Sequence, residues 1–355
     1  MDLKADDNAI VLENSIMQKG IAASAGSAIL ENFIAPFDAT VVTRLKGGIS
    51  GRVEMAEFGI GSVSDDTPGG LSEAVEAVAG GGARFALCND VFGTYRRQAA
   101  ENGLCYIHPT YGTVSRYGLI PLASSMDQIG MVCEDLSEGF KLLSVIAGND
   151  PNDGAMLAEK SYAYERAAGE ITVGVPGGAA GGGSVCDFAR GFNSVGVTLK
   201  YFDICKQVMY ILCCAELSGN ISRYDGVKFG RRAAAYSGVN DLYLKTRTEG
   251  FGLETKLAVI MGSMALSQEY YFSYYEKAMK IRRLIKESLS FDQYDIVALP
   301  TEIEGGRYEN LSLYSLACLA GLPSVSFSYN GQGVQLIANA GNEGALLAAW
   351  EMCKL

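Results

Sequence analysis

The residues most able to do chemistry in this sequence follow a short apolar segment, Phe85 to Leu87, which is predicted to be a buried strand. The chain then reads Asn89-Asp90-Val91-Phe92-Gly93-Thr94-Tyr95-Arg96-Arg97. A turn at the end of a strand, followed by an exposed hydroxyl side chain, is a suitable place for a nucleophile. Thr94 is therefore a candidate nucleophile.

The sequence offers few partners for a nucleophile of the common kinds. His108 is the single histidine, so a Ser-His-Asp triad is possible only if His108 is its base. Its position before Pro109 favours a structural role instead. The nine cysteines form no Cys-x-x-Cys pair, and with one histidine their spacing does not fit a zinc site. We predict reduced core thiols, no metal and no cofactor.

Composition excludes several other functions. The chain has 29 basic and 40 acidic residues and a net charge of −11, so it is a poor primary binder of nucleic acid. The longest apolar run, Val208 to Ala215, is too short to span a bilayer. Met1 to Asn8 is charged and lacks the apolar run of a signal peptide. We therefore expect a cytoplasmic protein with no membrane contact.

A glycine-rich turn, Asp65 to Ser72, precedes a predicted helix at Glu73 to Val78. It lacks the Gly-Lys-(Ser/Thr) sequence of a phosphate-binding loop. Gly177 to Ser184 does not match a dinucleotide fingerprint and is predicted to be a flexible loop.

The remaining pattern indicates how these residues are positioned. Buried strands alternate with amphipathic helices, which indicates an α/β layer architecture. We predict an Asp38 N-cap for the segment Val41 to Leu45. The predicted helix Ala265 to Leu289 carries four tyrosines, which favour core or interface packing. Further strands and helices are predicted at Ala9–Leu12, Ile171–Pro176, Asp295–Leu299, Glu134–Ala147 and Phe202–Ile221.

The stretch from His108 to Gly130 is polar and interrupted by glycine and proline, so it is neither a helix nor a single turn. Arg, Tyr, Ser and Asp side chains lie along it. A long loop of this kind is usually a functional rim or a structural clasp.

Several segments resemble the amidase signature family, and most closely the A-type subunits of the aminoacyl-tRNA amidotransferases. These segments are the loop from His108 to Gly130, Lys19-Gly20-Ile21, Pro36 to Val42, Arg223-Tyr224-Asp225-Gly226-Val227 and Thr246 to Gly252. The resemblance implies an α/β amidase-signature fold, with one large mixed β-sheet flanked by helices on both faces. It also implies that residues 1–355 are a single amidase-like domain, without most of the N-terminal helical segment usual in the family.

The same resemblance implies a degenerate catalytic site. In the family, a serine attacks the amide carbonyl, a second serine relays the proton, a buried neutral lysine is the base, and backbone N–H groups hold the oxyanion. Here Glu13 falls at the lysine position and Leu71 at the bridging serine position, while Ser72 keeps the serine that follows it. Thr94 falls at the nucleophile position, and Phe92 at the first glycine of the oxyanion turn.

The family's substrate clamp is also implied to be missing. The arginine that would hold a glutamine carboxylate falls on Leu257 or Ala258, and the acidic residue for its amino group falls near Leu311. We therefore predict no substrate-binding residue of the family type.

Three functions remain open at this stage. In the first, the chain is a catalytically silent pseudoenzyme that acts as a structural or regulatory subunit, with B-type and C-type amidotransferase subunits or a catalytic A-type paralogue as partners. Alternatively, it is an amidase or glutaminase with altered chemistry, with Thr94 or Ser72 as nucleophile and Glu13 as base. Alternatively, it binds a small molecule in the old pocket without turnover. If it works near tRNA, another protein of the complex would bind the RNA.

Overall fold

The structure is a computed structural model, and it describes residues 10–60, 70–304 and 306–354. Ala9, Met1 to Asn8 and most of the predicted turn from Asp65 lie outside these residues. The described strands are β1 (Ile10–Glu13), β2 (Ile49–Val53), β3 (Phe85–Asn89), β4 (Cys105–His108), β5 (Ile129–Cys133), β6 (Thr172–Pro176), β7 (Asn193–Val197), β8 (Ile296–Pro300), β9 (Ser324–Tyr329) and β10 (Gln332–Ala338).

Helices connect most of these strands. The described α-helices are α1 (Thr40–Leu45), α2 (Glu73–Ala79), α3 (Thr94–Glu101), α4 (Leu136–Ile146), α5 (Gly183–Ala189), α6 (Cys205–Asn220), α7 (Val239–Gly250), α8 (Leu253–Ala265), α9 (Glu276–Ser288), α10 (Gly306–Ala320) and α11 (Glu343–Met352). None of the helices in the described ranges is both long enough and apolar enough to cross a membrane.

The ten described strands belong to one sheet, in the order β2-β1-β3-β5-β4-β9-β10-β8-β6-β7. The pairs at the two ends of the sheet are parallel, and those from β3 through β8 are antiparallel. The predicted large mixed sheet is therefore confirmed.

The sheet is buried on both faces because successive strand side chains point in opposite directions. In β8, Ile296 packs into one core and Val297 into the other. Helices α1, α4, α5 and α11 contribute to the first core. Helices α6, α9 and α10 contribute to the second, and α2 and α3 pack on a third cluster.

Three local predictions were wrong. Asp38 does not cap α1: Ala39 is the N-cap, and the Asp38 carboxylate accepts a hydrogen bond from the backbone N–H of Lys19 at 2.7 Å. The segment predicted as a flexible loop contains a 3₁₀ turn, and helix α5 begins at Gly183. The helix predicted from Ala265 to Leu289 does not begin at Ala265, where α8 ends: a π-helical turn at Tyr271–Tyr275 leads into α9.

Two tyrosines of the π-helical turn are exposed, while Tyr275 packs against the second core. Tyr271 and Tyr274 are 38% and 42% exposed. The core interpretation is therefore wrong for these two side chains, and the interface interpretation stays a prediction.

The long loop after β4 is held by its own side chains. Arg116 pairs with Asp153 at 2.5 Å and donates to the Tyr111 hydroxyl at 2.7 Å. Gly118 has a φ of +86°, and a Cβ there would lie 2.4 Å from the Cα of Ala39. These contacts support the clasp interpretation, because the loop arginine is committed to the protein itself.

Candidate functional site

The candidate site is organised around the start of α3. Gly93 is the N-cap of this helix and has a φ of +81°, a conformation that favours glycine. A Cβ on Gly93 would lie 2.1 Å from the ring of Tyr314, so the turn packs directly on that ring. Thr94 is the first residue of α3 and is half-buried. The structure therefore places Thr94 on a strand–turn–helix connection, as the sequence predicts.

A buried ion pair fixes the turn. The Nε of Arg96 lies 3.1 Å from the Asp90 carboxylate, and both side chains are almost inaccessible to solvent. Arg96 also donates to the Asp90 carbonyl oxygen at 2.9 Å, and its guanidinium lies 4.9 Å from the centre of the Tyr314 ring. The two contacts with Asp90 tie α3 to the end of β3, and the contact with Tyr314 ties it to α10.

His108 lies beneath this ion pair and is completely buried. Its Nε2 is 3.8 Å from the Sγ of Cys318, which in turn lies 3.3 Å from Arg96. Burial and the nearby Arg96 charge lower the pKa of His108 well below its ordinary value, so the ring is neutral. This environment supports the predicted structural role of His108.

The Glu13 carboxylate lies at the end of β1 and is fully buried. It accepts three hydrogen bonds: from the Ser15 hydroxyl at 2.6 Å, the Asn89 backbone N–H at 3.0 Å and the Tyr95 hydroxyl at 2.7 Å. Burial raises its pKa from 4.5 to about 7, although the three hydrogen bonds act in the opposite direction. Near neutral pH this carboxyl group therefore exchanges between its charged and neutral forms.

Tyr95 connects Glu13 to the nucleophile position. It follows Thr94 directly, and its hydroxyl reaches the carboxylate from the first turn of α3. Burial, followed by the charge of Glu13, raises the pKa of Tyr95 well above its ordinary value, so Tyr95 is the hydrogen-bond donor. The sequence analysis missed Tyr95, although its place beside the candidate nucleophile was an available signal.

Ser72 and Leu71 lie at the start of α2. Ser72 is the N-cap of this helix, and its backbone N–H donates to the side-chain oxygen of Gln98 on α3 at 2.9 Å. Its hydroxyl oxygen is buried and has no hydrogen-bond partner among the described residues. Leu71 is 36% exposed and offers no proton. Leu71 and Ser72 therefore lie at the start of α2, and Thr94 lies at the start of α3.

Phe92 faces a cleft of about 610 Å³ beside the turn. Its ring lies 5.8 Å from that of Tyr210, which lies 5.6 Å from Tyr308. The cleft, as we use the term, is the space lined by these three rings and by Ile60, Leu122, Cys213, Cys214, Leu217, Glu254, Leu257, Ala258 and Met261. Both positions that the resemblance assigns to the substrate arginine, Leu257 and Ala258, thus line the cleft.

The position that the resemblance assigns to the family's acidic residue does not line the cleft. Leu311 is 3% exposed and packs in the core on α10. Sequence reasoning also missed Tyr210, Tyr308 and Glu254, because no local pattern links residues so far apart in the chain. Within the described residues, no group of three His, Cys, Asp or Glu side chains could hold a metal ion.

Comparisons with known proteins agree with this geometry. A family model described as Amidase matches residues 9–179 and 188–347. The A-type subunit of glutamyl-tRNA(Gln) amidotransferase from Lachnoclostridium phytofermentans is 37% identical over 365 residues, which cover 89% of this chain and 74% of that protein. Its counterpart from Neisseria meningitidis is 34% identical, over 98% of this chain and 83% of that protein. This chain belongs to the amidase family.

Solved structures give the same result for the fold. The A-type subunit of glutamyl-tRNA(Gln) amidotransferase from Thermotoga maritima matches with a TM-score of 0.71 and 26% identity, over 96% of this chain and 81% of that chain. A chain from a complex described as vestigial, and as revealing the origins of an s-triazine catabolic enzyme, matches with a TM-score of 0.78. It is 22% identical over 97% of this chain and 83% of that chain, so it supports the fold alone. The resemblance to the amidase family and to the A-type subunits is confirmed.

Proposed function

We propose that this amidase-family protein is a pseudoenzyme: it has lost the family's hydrolytic reaction and serves as a structural or regulatory subunit. The observation that carries the proposal is the environment of Glu13. A carboxylate occupies the position of the family's base, and all three of its hydrogen bonds come from the protein itself. A group held in this way is suited to fixing β1 against α3, and a carboxylate is a weaker base than a neutral lysine amine.

Two further positions support the loss of the reaction. Leu71 has no proton to relay between a base and a nucleophile. Phe92 replaces a glycine of the oxyanion turn, and its ring lines the cleft where a substrate carbonyl would have to approach. Because residues of one catalytic unit act together, each replacement alone is expected to cost orders of magnitude in rate.

Exposed apolar side chains support the proposal of protein partners. Leu244 on α7 and Ile260 on α8 are 67% and 65% exposed, and both line a second groove of about 570 Å³ between these helices. Contiguous exposed apolar surface is typical of an interaction site. The curated relatives are themselves named as subunits. We propose B-type and C-type amidotransferase subunits, or a catalytic A-type paralogue, as partners.

Two expectations of the sequence analysis stay predictions. One is that residues 1–355 act as a single amidase-like domain. The other is that the protein is cytoplasmic and does not itself contact nucleic acid.

A second candidate function is favoured by the raised pKa of Glu13. A carboxyl group that titrates near pH 7 has the property of a general base. In this alternative, the hydroxyl oxygen of Thr94 or Ser72 attacks the amide carbonyl, Glu13 takes the hydroxyl proton and returns it to the leaving amine, and water then hydrolyses the resulting ester. It predicts that a serine-reactive probe labels Thr94 or Ser72, and that Thr94→Ala or Ser72→Ala abolishes the labelling.

The deciding experiment is ammonia release from glutamine and simple amides by the purified chain, alone and with the proteins that co-purify with it. We expect no release above that of a Thr94→Ala variant prepared in the same way. The combined variant Glu13→Lys, Leu71→Ser, Phe92→Gly and Thr94→Ser tests whether the scaffold still supports the family's reaction. Ammonia release by the unmodified chain that Thr94→Ala or Ser72→Ala removes would overturn the pseudoenzyme proposal.

A further inference from the structure

The cleft beside Phe92 has the dimensions of a ligand site. Its volume of about 610 Å³ lies within the range of about 300–1,000 Å³ typical of small-molecule pockets. Its walls come from separate elements, namely the turn before α3 and the helices α6, α8 and α10. A site assembled in this way by a rigid scaffold is largely formed before a ligand arrives.

The charges of the cleft distinguish between classes of ligand. Among the described residues, Glu254 is the only Asp, Glu, Lys or Arg side chain that lines it, and none of them donates a hydrogen bond to its carboxylate. Lys206 is close by but does not line the cleft: it pairs with Glu309, and its Nζ lies 4.7 Å from the centre of the Tyr308 ring. Burying a carboxylate without a cationic partner is costly. The cleft therefore disfavours glutamine and every other ligand whose carboxylate must enter it.

The thiols of α6 do not alter this conclusion. Burial raises the pKa of Cys214 to about 11 and that of Cys213 well above its ordinary value. Both groups are therefore neutral thiols at physiological pH. They therefore act as small hydrophobic groups in the cleft wall, and they supply neither a nucleophile nor a charge.

The aromatic wall favours a ring. The rings of Tyr210 and Tyr308 stack on each other, with their centres 5.6 Å apart and an interplanar angle of 19°, and Tyr308 is 38% exposed. Phe92 extends this wall to the turn before Thr94. Because these rings stack on each other, a flat apolar ligand group would meet them through ring edges, and an edge-to-face contact of this kind stabilises an aromatic group beyond the burial of its area.

We propose that the cleft binds an aryl-alkyl molecule that carries no carboxylate. The apolar body lies against Tyr210, Tyr308 and Leu257, and a neutral or cationic polar end lies toward Glu254. This proposal goes beyond the proposed function, because it concerns recognition and holds whether or not the bound molecule is turned over.

Hydrocinnamamide and hydrocinnamate test the proposal, since they share one skeleton and differ only in the charged end. We expect the amide to raise the Tm of the full chain, and calorimetry to show at least about tenfold tighter binding of the amide than of the carboxylate. L-glutamine should not bind. Equal or tighter binding of hydrocinnamate, or no binding of either compound, would overturn the proposal.

A single substitution locates the site. Leu257→Arg places a cation in the cleft wall and should strengthen hydrocinnamate binding at least about tenfold, while weakening that of the amide. Ile260→Arg is the matched control, because it adds the same charge to α8 at a side chain that does not line the cleft. The same gain in both variants would overturn the assignment to the cleft. Ammonia release from bound hydrocinnamamide would refute the pseudoenzyme proposal and leave the binding proposal intact.

Discussion

The two sides of the turn before α3 differ in burial and in polarity. The inner side is buried and consists of Asp90, Arg96, His108, Tyr314 and Cys318. Arg96 forms an ion pair with Asp90, lies over the Tyr314 ring and contacts the Cys318 thiol, which also lies beside His108. The outer side is the cleft, which is mostly apolar and has a single acidic group among its described lining residues. The inner side is thus a buried polar network that shapes the turn, while the outer side is a mostly apolar surface open to solvent.

This difference follows from the cost of each kind of change. A buried ion pair cannot lose one partner without leaving the other charge uncompensated. A side chain on a cleft wall can change because solvent or a ligand accommodates it. The inner side is therefore constrained by folding, whereas the cleft wall is free to change.

The largest effect should come from the inner side. Arg96→Met leaves the Asp90 carboxylate buried without its cation, so we expect a loss of about 3–5 kcal/mol in the free energy of unfolding, measured by denaturant titration. Arg97→Met is the neighbouring control: its pair with Glu101 lies on the solvent side of α3 and should cost about 0.3–0.5 kcal/mol. Equal costs for the two variants would contradict the distinction between the sides.

Glu13, which is bonded to Asn89 and Tyr95 on either side of the same turn, makes the stability of the protein sensitive to pH. Its pKa is about 7 in the folded protein against an ordinary value of 4.5, so between these values the folded state binds more protons than the unfolded state. Stability contributed by this group is therefore greatest at low pH and falls as the pH rises from 4.5 to 7, by about 3 kcal/mol in total.

Glu13→Gln should remove this pH dependence. The Gln oxygen can accept from the Asn89 backbone N–H, while its amide group faces the Tyr95 oxygen, which can accept. We expect the variant to be more stable than the unmodified chain at about pH 8, and to lose that advantage near about pH 4.5. Glu287→Gln, at an exposed position on α9, is the control. Parallel stability curves for the Glu13→Gln variant and the unmodified chain would show that folding does not raise the pKa of Glu13.

The sequence predicted the strand and the turn before α3 better than the cleft. The strand before Asn89, the turn and the first residue of α3 follow from local apolar runs and glycine placement, so Thr94 could be identified in advance, whereas Glu13 was identified only through the resemblance to the amidase family. The hydrogen bond between Glu13 and Tyr95 spans 82 residues, and only the pairing of β1 with β3 brings them together. The cleft joins Phe92, Tyr210 and Tyr308 from separate helices and turns, which no periodic pattern in the chain encodes.

The smallest effect on stability should come from the cleft wall. Leu257 is 48% exposed, so Leu257→Arg should change the free energy of unfolding by no more than about 0.5 kcal/mol, as should Ile260→Arg on the same helix. Denaturant titration of both variants without ligand measures this directly. A cost above about 2 kcal/mol for Leu257→Arg alone would mean that the wall is part of the core, and that its apolar character serves folding. A negligible cost, together with a reversed preference for charged ligands, would mean that the wall determines what binds and contributes little to folding.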